Sequence, residues 1–71
     1  KGLYNQAEKT LIKAIELDPS YPPSYYNLAG AYYHNGKYDK AIQTLEKYIS
    51  INPRAKNIEK AKIKLKQLRG K

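Results

Sequence analysis

The sequence predicts an all-α protein, in which antiparallel helix-turn-helix repeats stack as a solenoid that ends in a C-terminal capping helix. Three observations lead to this fold class. Apolar residues recur at steps of three and four along most of the chain, which is the period of an amphipathic helix. Asp-Pro, Asn-Gly and Asn-Pro pairs interrupt this pattern, and such pairs end helices. The chain also repeats itself with a period of 34 residues.

The internal repeat appears when the chain is shifted against itself by 34 residues. Positions 2–19 then lie over positions 36–53, and eight of the 18 residues are identical. The identical pairs are Gly2/Gly36, Tyr4/Tyr38, Ala7/Ala41, Thr10/Thr44, Leu11/Leu45, Lys13/Lys47, Ile15/Ile49 and Pro19/Pro53. A period of this size indicates units that cannot bury their apolar faces alone and must therefore stack on one another.

The first predicted helix covers residues 3–17. Its apolar residues follow the helical period, and the Asp-Pro pair at 18–19 ends it, because a residue before proline is driven out of the helical region. We interpret this helix as the second helix of a repeat whose first helix is missing.

The second predicted helix covers residues 22–35. Pro22 and Pro23 are tolerated at its start, since the first turn has no intrahelical use for its amide hydrogens. Gly36 ends it, because glycine accepts the left-handed conformation that caps many helices.

The third and fourth predicted helices cover residues 38–51 and 55–69. Asp39 lies near the positive end of the third helix. The Asn-Pro pair at 52–53 ends this helix, as the Asp-Pro pair ends the first. Gly70 closes the fourth helix.

We divide the chain into three parts of a single unit. Residues 1–19 are the second helix of a truncated repeat, residues 20–53 are one complete repeat, and residues 54–71 are a basic capping helix. Because the chain begins with Lys1 and contains no methionine, we expect it to be part of a longer protein with further repeats upstream.

One segment sets large, small and aromatic residues at the offsets of a helical hairpin. Its members are Tyr25, Leu28, Ala29, Tyr32, Ala41, Leu45 and Pro53. This spacing resembles the tetratricopeptide repeat (TPR) pattern Trp-x-x-Leu-Gly-x-x-Tyr, Ala-x-x-x-Phe and Pro, with tyrosine for Trp, alanine for Gly and leucine for Phe. We expect the two alanines to lie where neighbouring helix backbones come close.

The fourth helix departs from the repeat pattern. A register one residue shorter than 34 places Ile58, Ala61 and Leu65 at the packing positions. Lys62 then occupies the small-residue site on which a following helix would pack. We therefore interpret this helix as a cap with a polar outer face. Ile63 is expected on the far side, among the lysines.

Positive charge is concentrated in the cap. The chain has a net charge of +8, and residues 54–71 supply +7 of it, with Glu59 as their single acidic residue. The basic residues there are Arg54, Lys56, Lys60, Lys62, Lys64, Lys66, Arg69 and Lys71. Such a cluster attracts acidic peptides, anionic membranes or nucleic acid, or it only keeps the end of the array solvated. No aromatic residue interleaves with these lysines, so an acidic protein partner is favoured over nucleic acid.

The TPR resemblance implies a concave groove, lined by the first helices of successive repeats, that binds an extended peptide or a helix. The groove-facing positions would be Tyr26, Asn27, Gly30, Tyr33 and His34. Two tyrosines, an amide and an imidazole form a good recognition surface, since aromatic residues give contact area at low entropic cost.

A more specific resemblance is to the carboxylate clamp of chaperone-adaptor TPR domains. Asn27 stands at the asparagine site of that clamp, and Lys56 and Lys60 fall on its two basic sites in the shortened register. The first-helix pair of the clamp would lie upstream of Lys1. The predicted peptide-binding residues are therefore Tyr26, Asn27, Tyr33, His34, Lys56 and Lys60.

The composition argues against an enzyme. With one histidine and no cysteine, and with no phosphate-binding loop or acidic pair, the chain lacks the groups for nucleophilic, metal or phosphoryl chemistry. We expect no cofactor and no metal. No apolar run approaches the ~20 residues of a membrane span, and the lack of cysteine is compatible with the cytoplasm without assigning a compartment.

The predicted function is a non-enzymatic scaffold or adaptor module that binds a peptide segment or an acidic tail of a partner. The alternatives are an electrostatic binder of nucleic acid or an anionic surface, and a purely structural repeat spacer. Self-association is also expected, through the apolar surface around Tyr4, Leu11 and Ile15 that the missing helix would cover.

Overall fold

The computed structural model describes residues 2–70, which form four helices joined by short turns. These are α1 (Gly2–Leu17), α2 (Pro22–His34), α3 (Tyr38–Ile51) and α4 (Ile58–Arg69). The described residues contain no strand, which confirms the all-α prediction. Each helix packs against the helix that precedes it, as expected of stacked hairpins. None of the four is long and apolar enough to cross a bilayer.

The turn between α1 and α2 is held by hydrogen bonds around the predicted Asp-Pro stop. The backbone N–H of Asp18 donates to the carbonyl of Ala14 at 2.9 Å, which closes the last turn of α1. The Asp18 carboxylate accepts a bond of 3.1 Å from the Ser20 hydroxyl. The Tyr25 hydroxyl donates to the carbonyl of Pro19 at 2.6 Å, so the first turn of α2 is tied directly to the end of α1.

The end of α2 is a Schellman motif built on Gly36. This glycine has a φ of +76°, as the sequence predicts for a left-handed cap. Its N–H donates to the carbonyl of Tyr33 at 3.1 Å, and the N–H of Lys37 donates to the carbonyl of Tyr32 at 2.8 Å. These two bonds satisfy carbonyls that the helix end would otherwise leave without partners. The helix ends at His34, one residue before the predicted boundary.

The start of α4 corrects the sequence-based boundary. The helix begins at Ile58 and not at residue 55, because turns occupy the intervening residues. The N–H of Ala55 donates to the carbonyl of Asn52 at 3.2 Å, and the N–H of Ile58 donates to the carbonyl of Ala55 at 3.1 Å. The Tyr48 hydroxyl donates to Oδ1 of Asn57 at 2.6 Å. This contact with α3 determines where the fourth helix starts.

In the core, large apolar side chains pack around small alanine residues. Ala41 and Ala61 are fully buried, and Leu45 is 1% exposed. The predicted packing residues of α2 are all buried, and Lys62 on α4 is exposed, in agreement with the shortened register. The buried hydrophobic residues are Tyr25, Leu28, Ala29, Ala31, Tyr32, Ala41, Leu45, Tyr48, Ala61, Leu65 and Leu68.

A polar network ties α1 to the turn after α2. The Glu8 carboxylate accepts bonds from Lys37 Nζ at 2.9 Å and from Asn35 Nδ2 at 2.7 Å, and Asn35 Nδ2 also donates to Oδ1 of Asn5 at 2.6 Å. Burial opposes ionisation of this carboxyl group. The hydrogen bonds from Lys37 and Asn35, together with the charges of Lys37 and Lys40, outweigh that effect, so the pKa of Glu8 lies below its ordinary value of 4.5.

We expect Ala41→Leu to lower the free energy of unfolding by about 1–3 kcal/mol, because its added atoms have no space between α2 and α3. The control is Gln43→Leu, which places the same side chain at an exposed position of α3. Urea unfolding of the three proteins measures the difference. Equal stability of both variants would show that the backbones of α2 and α3 are not close at this position.

We expect Glu8→Gln to lower the free energy of unfolding at neutral pH by about 1 kcal/mol, since it removes charge-assisted hydrogen bonds. The folded-state pKa of Glu8 is lowered, so its stabilisation is present above about pH 4.5 and is lost as the pH falls through the folded-state value. The wild-type protein should therefore lose its advantage over the variant in acid. Urea unfolding across this pH range, with exposed Glu16→Gln as the control, tests the assignment; a constant difference at all pH values would contradict it.

Candidate functional site

The central helix α2 presents an open surface with depressions on both of its sides. Tyr26 stands between them and is half-buried. Its ring packs against that of Tyr48 in α3 at a centroid distance of 5.2 Å and an interplanar angle of 53°. Tyr26 is therefore held in place by the core, although part of it faces outward.

The first depression is a small pocket between α2 and α4, which we call the α2–α4 pocket. Its volume is about 130 Å³. Leu45 of α3 and Leu68 of α4 contribute apolar surface, and Tyr33 and Lys64 contribute an aromatic and a charged group. The lining residues are Tyr26, Ala29, Gly30, Tyr33, His34, Leu45, Lys64 and Leu68.

A second depression of about 210 Å³ adjoins this pocket, and we call it the basic depression. It is lined by Tyr26, Lys60, Ile63, Lys64 and Gln67. Because Tyr26 and Lys64 line both spaces, the two depressions form one continuous surface. Lys64 Nζ lies 5.9 Å from the centroid of the Tyr26 ring, within the range of a cation–π contact.

The third depression lies between α2 and α1, and we call it the α1–α2 groove. It shares Tyr26, Gly30 and His34 with the α2–α4 pocket and is larger than the other two, with a volume of about 370 Å³. Tyr4 stacks on His34 at one end of it, with ring centroids 5.1 Å apart and an interplanar angle of 15°. The lining residues are Tyr4, Ala7, Leu11, Tyr26, Asn27, Gly30, Ala31 and His34.

Five of the six sequence-predicted site residues line depressions to which Tyr26 contributes. Tyr33 and His34 line the α2–α4 pocket with Tyr26, and Lys60 lines the basic depression with it. Asn27 lines the α1–α2 groove with Tyr26 and His34. Lys56 is exposed in the turn before α4 and lines neither the pocket nor the basic depression. The peptide-binding role of all six residues stays a prediction.

The carboxylate clamp that the sequence suggests stays a prediction. Asn27 lines the α1–α2 groove and Lys60 lines the basic depression, and Tyr26 lines both. The later start of α4 leaves Lys56 outside the helix, where its position relative to the groove is set by a turn.

Four residues of α4 outside the six predicted site residues also line these depressions. Ile63, Lys64, Gln67 and Leu68 each contribute to the α2–α4 pocket or the basic depression. Lys64 follows Lys60 by one helical turn, and this spacing was the available signal. Ile63 is 57% exposed, as expected of a residue outside the packing face of α4, and it lines the basic depression beside Lys60 and Lys64.

The groups on this surface offer aromatic and apolar contacts and positive charge. Within residues 2–70 no group of three or more His, Cys, Asp or Glu side chains is placed to hold a metal ion. The one buried carboxylate in that range, Glu8, is engaged by Lys37 and Asn35. Aromatic walls, an apolar floor and lysines at the rim are suited to recognising another molecule.

Comparison with known proteins agrees with this architecture. A family model described as tetratricopeptide repeat matches residues 1–65. A TPR repeat-containing protein of Methanocaldococcus jannaschii is 36% identical over 53 residues, which is 75% of this chain and 9% of that protein. A tetratricopeptide repeat and J domain-containing co-chaperone of Cryptococcus neoformans var. grubii is 38% identical over 53 residues, which is 75% of this chain and 10% of that protein.

The chain thus spans about a tenth of the length of each of these relatives. The match to the family model covers most of the chain, and it agrees with the 34-residue period and with the stacked helices of the structure. The chain belongs to the tetratricopeptide repeat family, whose repeats generally serve as non-catalytic protein–protein interaction modules.

Proposed function

We propose that this chain binds an acidic peptide segment of a partner protein across the α2–α4 pocket and the basic depression, as part of a scaffold or adaptor. The proposal rests on one observation, which is that an apolar pocket lies next to a depression with two lysines and that Tyr26 lines both. Tyr26 and Lys64 line both spaces, and Lys60 lines the second.

The size of the α2–α4 pocket is suited to one apolar side chain of such a peptide. Its volume is about 130 Å³, and an apolar cavity of ~150 Å³ in another protein is known to hold a benzene molecule. Leu45 and Leu68 offer apolar contacts there, and Tyr33 is an aromatic wall whose ring packs edge-on against Tyr38 at 5.5 Å. A wall fixed in this way contributes contact area with little loss of conformational freedom on binding.

The charge distribution favours an acidic ligand on this side of α4. Lys60 and Lys64 lie one helical turn apart and line the basic depression, whereas Lys62 and Lys66 are exposed and line neither it nor the pocket. The net charge of +7 on residues 54–71 also accelerates the encounter with an acidic partner. Lys60 and Lys64 can therefore contact the bound peptide, whereas Lys62 and Lys66 contribute only to its long-range attraction.

We expect the double substitution of Lys60→Glu and Lys64→Glu to weaken binding of an acidic peptide by about tenfold or more. The matched control is Lys62→Glu with Lys66→Glu, which makes the same change in net charge on the same helix. The probe is a fluorescein-labelled peptide of sequence Glu-Asp-Leu-Glu-Asp-Glu, titrated by anisotropy. Affinity of the wild-type protein should fall between about 50 mM and 300 mM salt.

Equal losses in the two double variants would mean that attraction is dispersed over the helix, as in non-specific binding to nucleic acid. The proposal would then be wrong. An absence of binding to the wild-type protein at low salt would equally contradict it.

A further inference from the structure

The basic depression contains an exposed isoleucine. Ile63 is 57% exposed, and it lines this concave space of about 210 Å³ together with the ring of Tyr26. Two leucines of α1, Leu3 and Leu17, are also exposed, but they line none of the three depressions described above. Single exposed apolar residues are common on protein surfaces. Ile63 differs from the two leucines because it lies in a concave space beside a second large side chain.

Polar groups surround Ile63 along α4. Lys60 lies three residues before it and Gln67 lies four residues after it, so each is about one helical turn away, and Lys64 is its neighbour in the sequence. All three polar residues are exposed and line the same depression. An apolar centre within a polar rim is the usual organisation of the residues that contribute most to binding at an interface.

The Tyr26 ring on the α2 side of the depression is held in place by its neighbours. It packs against the Tyr48 ring at a centroid distance of 5.2 Å, and Lys64 Nζ lies 5.9 Å from its centroid. A tyrosine held in this way contributes contact area at a low entropic cost. A side chain placed between Ile63 and Tyr26 therefore gains apolar contacts on both of its sides.

The charges around Ile63 determine which ligands fit the depression. None of its described lining residues is acidic, and the ion pairs in the part of the chain that the structure describes use Lys37 and Arg69. A ligand without carboxylates would leave Lys60 and Lys64 without anionic partners. A uniformly acidic ligand would bring carboxylates against Ile63, where they lose water without gaining a hydrogen bond. The ligand that fits has an apolar residue between acidic ones.

We propose that Ile63 and Tyr26 hold a second apolar side chain of the acidic peptide, in addition to the one in the α2–α4 pocket. This inference rests on the proposed function and narrows its ligand class, because the partner segment then carries two apolar residues among acidic ones. The basic depression shares Tyr26 and Lys64 with the pocket, and a smaller depression of about 90 Å³ shares lining residues with both. One short peptide can therefore occupy the pocket and the basic depression together.

The test uses fluorescein-labelled peptides that contain two leucines and six acidic residues, titrated by anisotropy. The second leucine stands two, three or four residues after the first, and each peptide has a counterpart with alanine in place of that leucine. We expect the wild-type protein to bind the peptide with the best spacing about fivefold more tightly than its counterpart, because an additional leucine is removed from water.

Ile63→Ala should remove this gain and leave the affinity for the alanine counterpart nearly unchanged, which is the coupling that a double-mutant cycle isolates. Alanine is the best helix former, so α4 should stay intact in this variant, and circular dichroism checks that it does. The control is Leu17→Ala, which truncates an exposed side chain of α1 outside these depressions and should keep the gain in full.

Equal losses of affinity for both members of a peptide pair in Ile63→Ala would overturn the inference, as would the absence of a gain at every spacing. Concentration-dependent dimerisation that Ile63→Ala abolishes would overturn it in favour of a second copy of the chain. These results leave the proposed function standing if the double variant of Lys60→Glu and Lys64→Glu still weakens binding of the acidic peptides. A failure of every acidic peptide to bind the wild-type protein would contradict both proposals.

Discussion

The fold depends on the close approach of helices at two alanines. Ala41 and Ala61 are both fully buried, so α3 can lie against α2 on one side and α4 can lie against α3 on the other. A larger side chain at either position would separate the helices, and the large residues around them could no longer interdigitate. Because the α2–α4 pocket is lined by residues of α2, α3 and α4, its shape depends on both of these contacts.

A glutamate on each of α1 and α3 contacts the end of the next helix. Glu8 of α1 binds Asn35 and Lys37 just past the end of α2, and Glu46 of α3 forms an ion pair with Arg69 at the end of α4. The two glutamates do not occupy equivalent positions in the repeat, but each holds the end of the next helix. The Glu8 pair is the more protected of the two, because its carboxylate is buried whereas the Glu46 and Arg69 side chains are about half exposed.

The depressions beside α2 differ in chemistry. On the α4 side, Lys60 and Lys64 line the basic depression next to an apolar pocket. On the α1 side, the described lining carries no lysine, arginine or carboxylate and repeats a helix-packing face. The lining therefore changes from charged to uncharged across α2, a helix of 13 residues.

The sequence by itself determined the fold class, the four helices and the packing face of α2, since these follow from local features: helical periodicity, proline stops and the left-handed cap at Gly36. The tertiary structure alone decided which side chains share a depression. The Tyr48–Asn57 hydrogen bond links α3 to the residue before α4, which begins at Ile58, and Ile63 of α4 lines the same depression as Tyr26 of α2. Such positions depend on contacts between helices that are distant in the sequence, and periodicity within one helix carries no information about them.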